Sequence, residues 1–169
     1  MKLACRAGLA LLASMFGATT QAEEVSIDPS LRAFLTQFEE GTSRFINGDP
    51  ALWKRNASQR DDVTIMGAWG GYEKGWKEVG PRYDSVAARL KQSGAKVKVE
   101  YLSSAASGDL AYTVAIERSA VQRIGQEAPV ETALRVTHIF RKVQGAWKLV
   151  HRQADPLMEM VPPPGVPPK

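Results

Sequence analysis

The feature that most constrains the fold is a pair of alternating apolar runs around Gln144-Gly145, within Thr132–Pro156. A short glycine-containing link between two such runs is typical of a two-residue β-hairpin turn. With that turn Val143 faces Ala146, and each further pair follows by counting outward along the two strands. The sequence therefore predicts a hairpin and also which side chains share each of its faces.

The count places His138 directly opposite His151, and these are the two histidines of the chain. Side chains alternate between the two faces of a strand, and the more apolar face should line the interior. We expect Arg135, Arg141 and Arg152 on the outer face. The inner face should carry Thr132, Leu134, Val136, His138, Phe140, Trp147, Leu149 and His151.

His138 and His151 are the best acid–base candidates, because an imidazole titrates near neutral pH. Both would contact a ligand in one cavity, and their like charges would depress at least one pKa. The alternative is a structural role, with both rings hydrogen-bonded to backbone groups or to Tyr112. A zinc site needs a third ligand, and Asp155 lies about 13 Å beyond His151 along an extended strand. We therefore predict no metal and no cofactor.

The first 22 residues are typical of a secretory signal peptide. Lys2 and Arg6 form a basic start, Ala7–Phe16 is apolar, and Thr20-Gln21-Ala22 resembles a cleavage site. About ten apolar residues are too few for a membrane anchor, so we expect an exported protein, periplasmic or secreted. Cleavage would remove Cys5, the single cysteine, and lower the formal charge from +4 to +2. No basic block suggests nucleic acid as a partner.

The rest of the chain has the element order of an α+β domain. Helical spacing follows Asp28-Pro29, a short helix follows Asp49-Pro50, and a third helix over Trp76–Leu90 should bury Tyr83. From Lys96 the apolar period changes to two and predicts antiparallel strands. We expect one domain over residues 23–157 and a flexible proline-rich tail over residues 158–169.

Aromatic side chains supply the remaining candidate ligand contacts. A glycine-rich loop carries Trp69 and Tyr72, which either cap the mouth of a pocket or fill the core. That loop lacks the spacing of a phosphate-binding loop. Tyr101 and Tyr112 offer hydroxyls to a ligand, unless they bond to backbone groups. Phe140 adds an apolar contact on the same inner face as His138.

Three segments resemble the SnoaL-like branch of the nuclear-transport-factor-2-like superfamily. They are FINGDPALW at Phe45–Trp53, DDVTIMGAWGGYEKGW at Asp61–Trp76, and LRVTHIFRKVQGAWKLVHRQADP at Leu134–Pro156. The resemblance covers about residues 30–156. It implies a cone-shaped barrel, in which a strongly curved, mostly antiparallel sheet wraps around a long N-terminal helix. It also implies a pocket inside the cone and dimers formed through the outer sheet face.

Ketosteroid isomerases within this superfamily use a Tyr on the first helix, a base Asp after the first strand, and a protonated Asp on a late strand. The matching segments place Gly41, Gly67 and His138 near those three positions. All three depart from the pattern, so we do not expect ketosteroid isomerase chemistry of that type.

We therefore expect an exported domain that binds a small, largely apolar molecule in the cone, with both histidines as polar contacts. One alternative is an isomerase, cyclase or dehydratase that uses His138 or His151 as general acid or base. A second is a dimeric partner-binding module that uses the outer face around Ile139 and Val150. In each case we expect a homodimer, and no nucleic acid or membrane partner after signal cleavage.

Overall fold

The computed structural model describes residues 25–159. The signal peptide expected over residues 1–22 and most of the tail expected over residues 158–169 lie outside the described residues. The described part is an α+β fold, as expected. Its elements are α1 Pro29–Phe45, α2 Ala51–Asn56, β1 Thr64–Met66, β2 Glu73–Lys74, α3 Trp76–Ala87, β3 Lys98–Ser107, β4 Leu110–Val121, β5 Val130–Val143 and β6 Ala146–Pro156.

The strands form one mixed six-stranded sheet in the order β2-β1-β6-β5-β4-β3. The long strands β3 to β6 run antiparallel to their neighbours, whereas β1 runs parallel to β6. The expectation of a mostly antiparallel sheet is therefore confirmed. The short strands β1 and β2 extend the sheet beside β6, next to the loop of residues 67–72.

Helix α1 begins where the sequence predicts and covers one face of the sheet, here called the inner face. The Asp28 side chain accepts hydrogen bonds from the backbone amides of Ser30 and Leu31, which caps the helix. Phe38 packs edge-to-face on Phe140 of β5, with ring centres 5.6 Å apart. The core that joins helix and sheet includes Leu31, Leu35, Phe38, Trp53, Phe140, Trp147 and Leu149.

Gly41 lets helices α1 and α2 approach closely. A Cβ atom there would lie 3.1 Å from the Trp53 backbone nitrogen and 3.3 Å from the Leu52 carbonyl carbon. This glycine therefore serves helix packing and does not make room for a ligand.

The turn of the β5–β6 hairpin is the predicted one. Val143 pairs with Ala146, and both linking residues have positive φ, 52° at Gln144 and 79° at Gly145. Two positive φ values are the mark of a type I′ turn, whose twist matches that of the flanking strands. Gln144 is held in the left-handed region that a non-glycine residue rarely adopts.

The predicted pairing of the two histidines is wrong, because β6 contains a bulge. Phe140 pairs with Leu149, but the next residue, Ile139, pairs with His151, so Val150 has no partner of its own. One extra residue exchanges the faces of everything beyond it. His138 therefore lies opposite Arg152. Arg152, expected outside, is buried, and His151 leaves the inner face.

Replacing Gln144 with asparagine should stabilise the protein, because asparagine tolerates the left-handed conformation better than glutamine does. We expect the free energy of unfolding to rise by about 0.5–1 kcal/mol in urea denaturation. Gln153→Asn, the same change at an exposed position of β6, is the matched control and should not stabilise. An unchanged or lower stability of Gln144→Asn would contradict the strain assigned to this turn.

Candidate functional site

A cavity of about 600 Å³ lies between the inner face of the sheet, the end of α1, helix α3 and the loop of residues 67–72. Most of its wall is apolar. The apolar lining includes Phe45, Ile46, Ile65, Tyr83, Val86, Leu90, Val97, Val121, Val130, Leu134 and Ala154. The polar lining includes a buried carboxylate and a buried guanidinium, Glu117 and Arg152. The other polar lining residues are Thr42, Arg82, Ser119, Arg123, Gln126, Glu131 and Thr132.

Glu117 and Arg152 form a two-pronged ion pair on the cavity wall. Alternation along β4 brings Glu117 to the inner face, and the bulge at Val150 brings Arg152 to the same face on β6. Arg152 Nη1 donates to Glu117 Oε1 at 2.9 Å, and Nη2 donates to Oε2 at 2.7 Å. Parallel N–H···O bonds of this kind are the strongest that arginine makes with a carboxylate.

The two charges keep each other ionised in spite of burial. Burial alone would raise the pKa of Glu117, but the Arg152 guanidinium outweighs it, and the pKa ends below its ordinary value. Burial alone would lower the pKa of Arg152, but Glu117 outweighs it, and that pKa ends above its ordinary value. The pair therefore contributes no net charge to the interior.

His138 is a buried acceptor in this network. Arg152 Nη1 lies 2.6 Å from His138 Nε2, and arginine can only donate, so Nε2 carries no proton. The proton of the neutral ring is then on Nδ1, which donates to Thr113 Oγ1 at 3.3 Å. Burial, and then the charge of Arg152, lower the pKa of His138 to about 3, against the opposing pull of Glu117. His138 is therefore neutral at physiological pH.

His151 does not share the inner face with His138 and lies beside β1. Its Nδ1 is 2.8 Å from Thr64 Oγ1, and burial lowers its pKa. Neither histidine is among the residues that line the cavity. The two imidazoles that we expected to share one pocket therefore belong to different environments.

Of the aromatic candidates, Trp69 is the one that lines the cavity. It is 48 % exposed, and the Arg123 guanidinium carbon lies 4.7 Å from its ring centre. This contact joins the loop of residues 67–72 to the loop that follows β4, across the mouth of the cavity. Tyr72, in the same loop, is 73 % exposed and lies outside the lining.

The other three aromatic candidates also lie outside the lining. Tyr101 is half-buried on β3, where its hydroxyl donates to Glu39 at 2.5 Å. Tyr112 lies on the outer face and is 40 % exposed. Phe140 is fully buried in the core against α1.

Sequence reasoning missed Tyr83, Glu117 and Arg152 as site residues. Tyr83 was expected to be buried, and its ring stacks on Trp53 with the centres 3.4 Å apart. Burial raises the pKa of Tyr83, so its hydroxyl keeps its proton. A carboxylate on the inner side of β4 is a signal that could have identified Glu117. Arg152 could not be identified without knowledge of the bulge.

The described residues contain no group of three or more histidine, cysteine, aspartate or glutamate side chains arranged to hold a metal ion. Among the helices described between residues 25 and 159, none has both the length and the apolar character needed to cross a bilayer.

The free energy of unfolding should fall as the pH drops from about 6.5 to about 5. Because the pKa of His138 is lowered on folding, the unfolded chain binds more protons than the folded chain in this range, up to one more near pH 5, and protons favour unfolding. One such proton gives a slope of about 1.4 kcal/mol per pH unit. His138→Gln, which keeps an acceptor for Arg152, should remove most of this slope in urea denaturation.

His151→Gln is the matched control for that experiment. Burial also lowers the pKa of His151, but the His151 ring is more exposed than that of His138. Removing the His151 ring should therefore change the slope less. The lowered pKa of Glu117 also makes the free energy of unfolding fall as the pH drops, but at pH values below the range measured. Equal slopes in wild type and His138→Gln would contradict a neutral, buried His138.

Several solved structures share this fold. A nuclear transport factor 2-like superfamily protein from Salmonella enterica aligns with a TM-score of 0.67 and 14% identity, over 80% of this chain and 94% of that chain. A provisionally named dehydratase of the NTF2-like family from Streptomyces avermitilis aligns with a TM-score of 0.61 and 19% identity, over 76% and 94%. A provisionally named ketosteroid isomerase from Shewanella frigidimarina aligns with a TM-score of 0.59 and 16% identity, over 78% and 98%.

These likenesses establish the fold and no activity, because all three identities are low. No curated protein sequence matches the chain. At the level of families, residues 34–158 match the SnoaL-like domain. Since this match spans most of the sequence, the chain belongs to the SnoaL-like domain family.

Proposed function

We propose that this SnoaL-like domain binds a small, largely apolar molecule in the cavity beneath helix α3. The observation that carries the proposal is a space of about 600 Å³ with mainly apolar walls. Pockets for small molecules typically have volumes of about 300–1,000 Å³, apolar walls and a few placed polar groups. Protein interiors otherwise pack closely and contain few voids larger than a water molecule.

The polar groups of the cavity favour binding over proton transfer. Glu117 is occupied by Arg152, and His138 accepts a hydrogen bond from the same guanidinium. His151 faces Thr64, away from the cavity. An isomerase, cyclase or dehydratase reaction that uses either histidine therefore gains no support from this geometry. The isomerase and dehydratase names belong to the structural neighbours, which share only the fold.

Export and dimer formation are part of the same proposal. Export rests on the sequence of residues 1–22, and a protein recovered from the cell with Glu23 as its first residue would support it.

Dimer formation through the outer face is supported by Leu110 and Tyr112, which are 52 % and 40 % exposed on β4. Ile139 and Val150, first expected to form that surface, are half-buried and buried. Sedimentation equilibrium that shows only monomers would exclude the dimer.

A bulky side chain in the cavity should block ligand binding. Ser119 lines the cavity on β4, whereas its neighbour Ala120 alternates to the other face. We expect Ser119→Phe to weaken binding of the neutral fluorescent probe N-phenyl-1-naphthylamine at least about tenfold, since the ring occupies the space of the probe. Fluorescence titration measures this.

Ala120→Phe is the matched control, because the same ring is added to the same strand on the opposite face. It should bind the probe as wild type does. Equal affinity of both variants for the probe, or no saturable binding by wild type, would contradict the proposed site.

A further inference from the structure

The side chain of Arg152 has donors that the ion pair and His138 do not use. Both Nη1 protons are engaged, one by Glu117 Oε1 and one by His138 Nε2, and one Nη2 proton is engaged by Glu117 Oε2. A guanidinium carries five N–H donors in a planar fork. The second Nη2–H and Nε–H remain, and these two bonds point the same way along one edge of the group.

This free edge opens toward the cavity. Arg152 lines the cavity, and its side chain is 10% exposed. Among residues 25–159, no fully buried polar side-chain atom lacks a hydrogen-bond partner. Because Nε has no partner among those residues, it is not fully buried, and the cavity is the space that Arg152 lines. A buried arginine with an unused pair of donors leaves a place for one acceptor.

Tyr83 presents a second donor to the same space. It lines the cavity from α3, and its hydroxyl makes no hydrogen bond to a described residue. Glu117 and Arg152 line the same cavity from the sheet. Stacking on Trp53 holds the ring in position. Two different side chains therefore offer donors to the inner part of the cavity.

The charge balance decides which acceptor fits. Glu117 already neutralises Arg152, so a carboxylate ligand would leave one uncompensated negative charge in the interior, which is costly. The other charges of the lining also balance: Arg82 lies 3.3 Å from Glu73, and Arg123 and Glu131 contribute one charge of each sign. A neutral acceptor uses the donors without this cost.

We propose that the ligand is a neutral carbonyl compound. Its carbonyl oxygen accepts from the free edge of Arg152 and from the Tyr83 hydroxyl, and its apolar body lies along the cavity walls. This assignment rests on the proposed binding function and names the ligand class for that site. It also gives the Glu117–Arg152 pair a role in selectivity, because Glu117 repels anionic ligands from the donors that Arg152 offers.

Three probes of similar size separate the carbonyl contribution from simple cavity binding. They are 2-acetylnaphthalene, a neutral ketone; 2-ethylnaphthalene, its hydrocarbon analogue; and 2-naphthoate, a carboxylate. Each is titrated against bound N-phenyl-1-naphthylamine. We expect the ketone to displace this probe at a concentration about tenfold lower than either of the other two, because only the ketone uses the donors without adding charge.

Two variants test the donors, and one serves as control. Tyr83→Phe keeps the stacked ring, and Arg152→Lys keeps a cation beside Glu117 but loses the forked edge. Each should reduce the preference for ketone over hydrocarbon, taken as the ratio of the two affinities within one variant, at least about threefold. Tyr72→Phe, the same change at an exposed tyrosine, should leave the preference unchanged. Circular dichroism monitors the folding of both variants, and each variant tests the donors independently of the other.

The outcomes distinguish the two proposals. If ketone and hydrocarbon displace the fluorescent probe equally well in wild type, carbonyl recognition is wrong and cavity binding stands. A preference for 2-naphthoate would overturn the neutral ligand class in the same way. If the fluorescent probe itself does not bind, the proposed function fails, and the carbonyl assignment fails with it.

Discussion

The buried ion pair between Glu117 and Arg152 is the interaction on which the candidate site depends. Removing two charges from water costs several kcal/mol for each ion, and their attraction offsets this only when the geometry is good and other donors and acceptors are satisfied. Here the carboxylate receives two donors, and His138 receives a third. The pair joins β4 to β6 across β5, so it also ties together the strands that form the cavity wall.

The bulge at Val150 makes this arrangement possible. Without it, alternation from the turn at Gln144-Gly145 would direct His151 inward and leave Arg152 outside, so that Glu117 would be a buried carboxylate without a partner. With it, His151 moves beside Thr64 and Arg152 enters the core. A bulge is commonly found where a strand must redirect a side chain, and here it exchanges an imidazole for a guanidinium. The buried ion pair in the cavity wall therefore depends on the bulge residue Val150, which has no partner on β5.

Much of the fold could be predicted because local signals decide it. The cap at Asp28, the tight turn before Ala146, and the change of apolar period near Lys96 each specify structure over a few residues, and the α+β class followed from them. The family came from the resemblance of three segments. The register beyond Val150 could not be predicted, since a bulge of this kind arises from long-range pairing and has no glycine to mark it. The alternation of side chains along β4 was enough to place Glu117 on the inner face. Its partner Arg152 could not be found by alternation along β6, because the bulge at Val150 changes the face.

The site that results is an apolar space with a charge-balanced polar group in its wall, better suited to selecting a ligand than to titrating near neutral pH. Long-range ¹H–¹⁵N spectra of the histidine rings test its central feature, the inward Arg152 that donates to His138, most directly. For His138 they should show one neutral form, protonated on Nδ1 and unprotonated on Nε2, unchanged between about pH 7.5 and about pH 5. A His138 ring that titrates near its ordinary value of 6.5, or carries its proton on Nε2, would contradict the buried network.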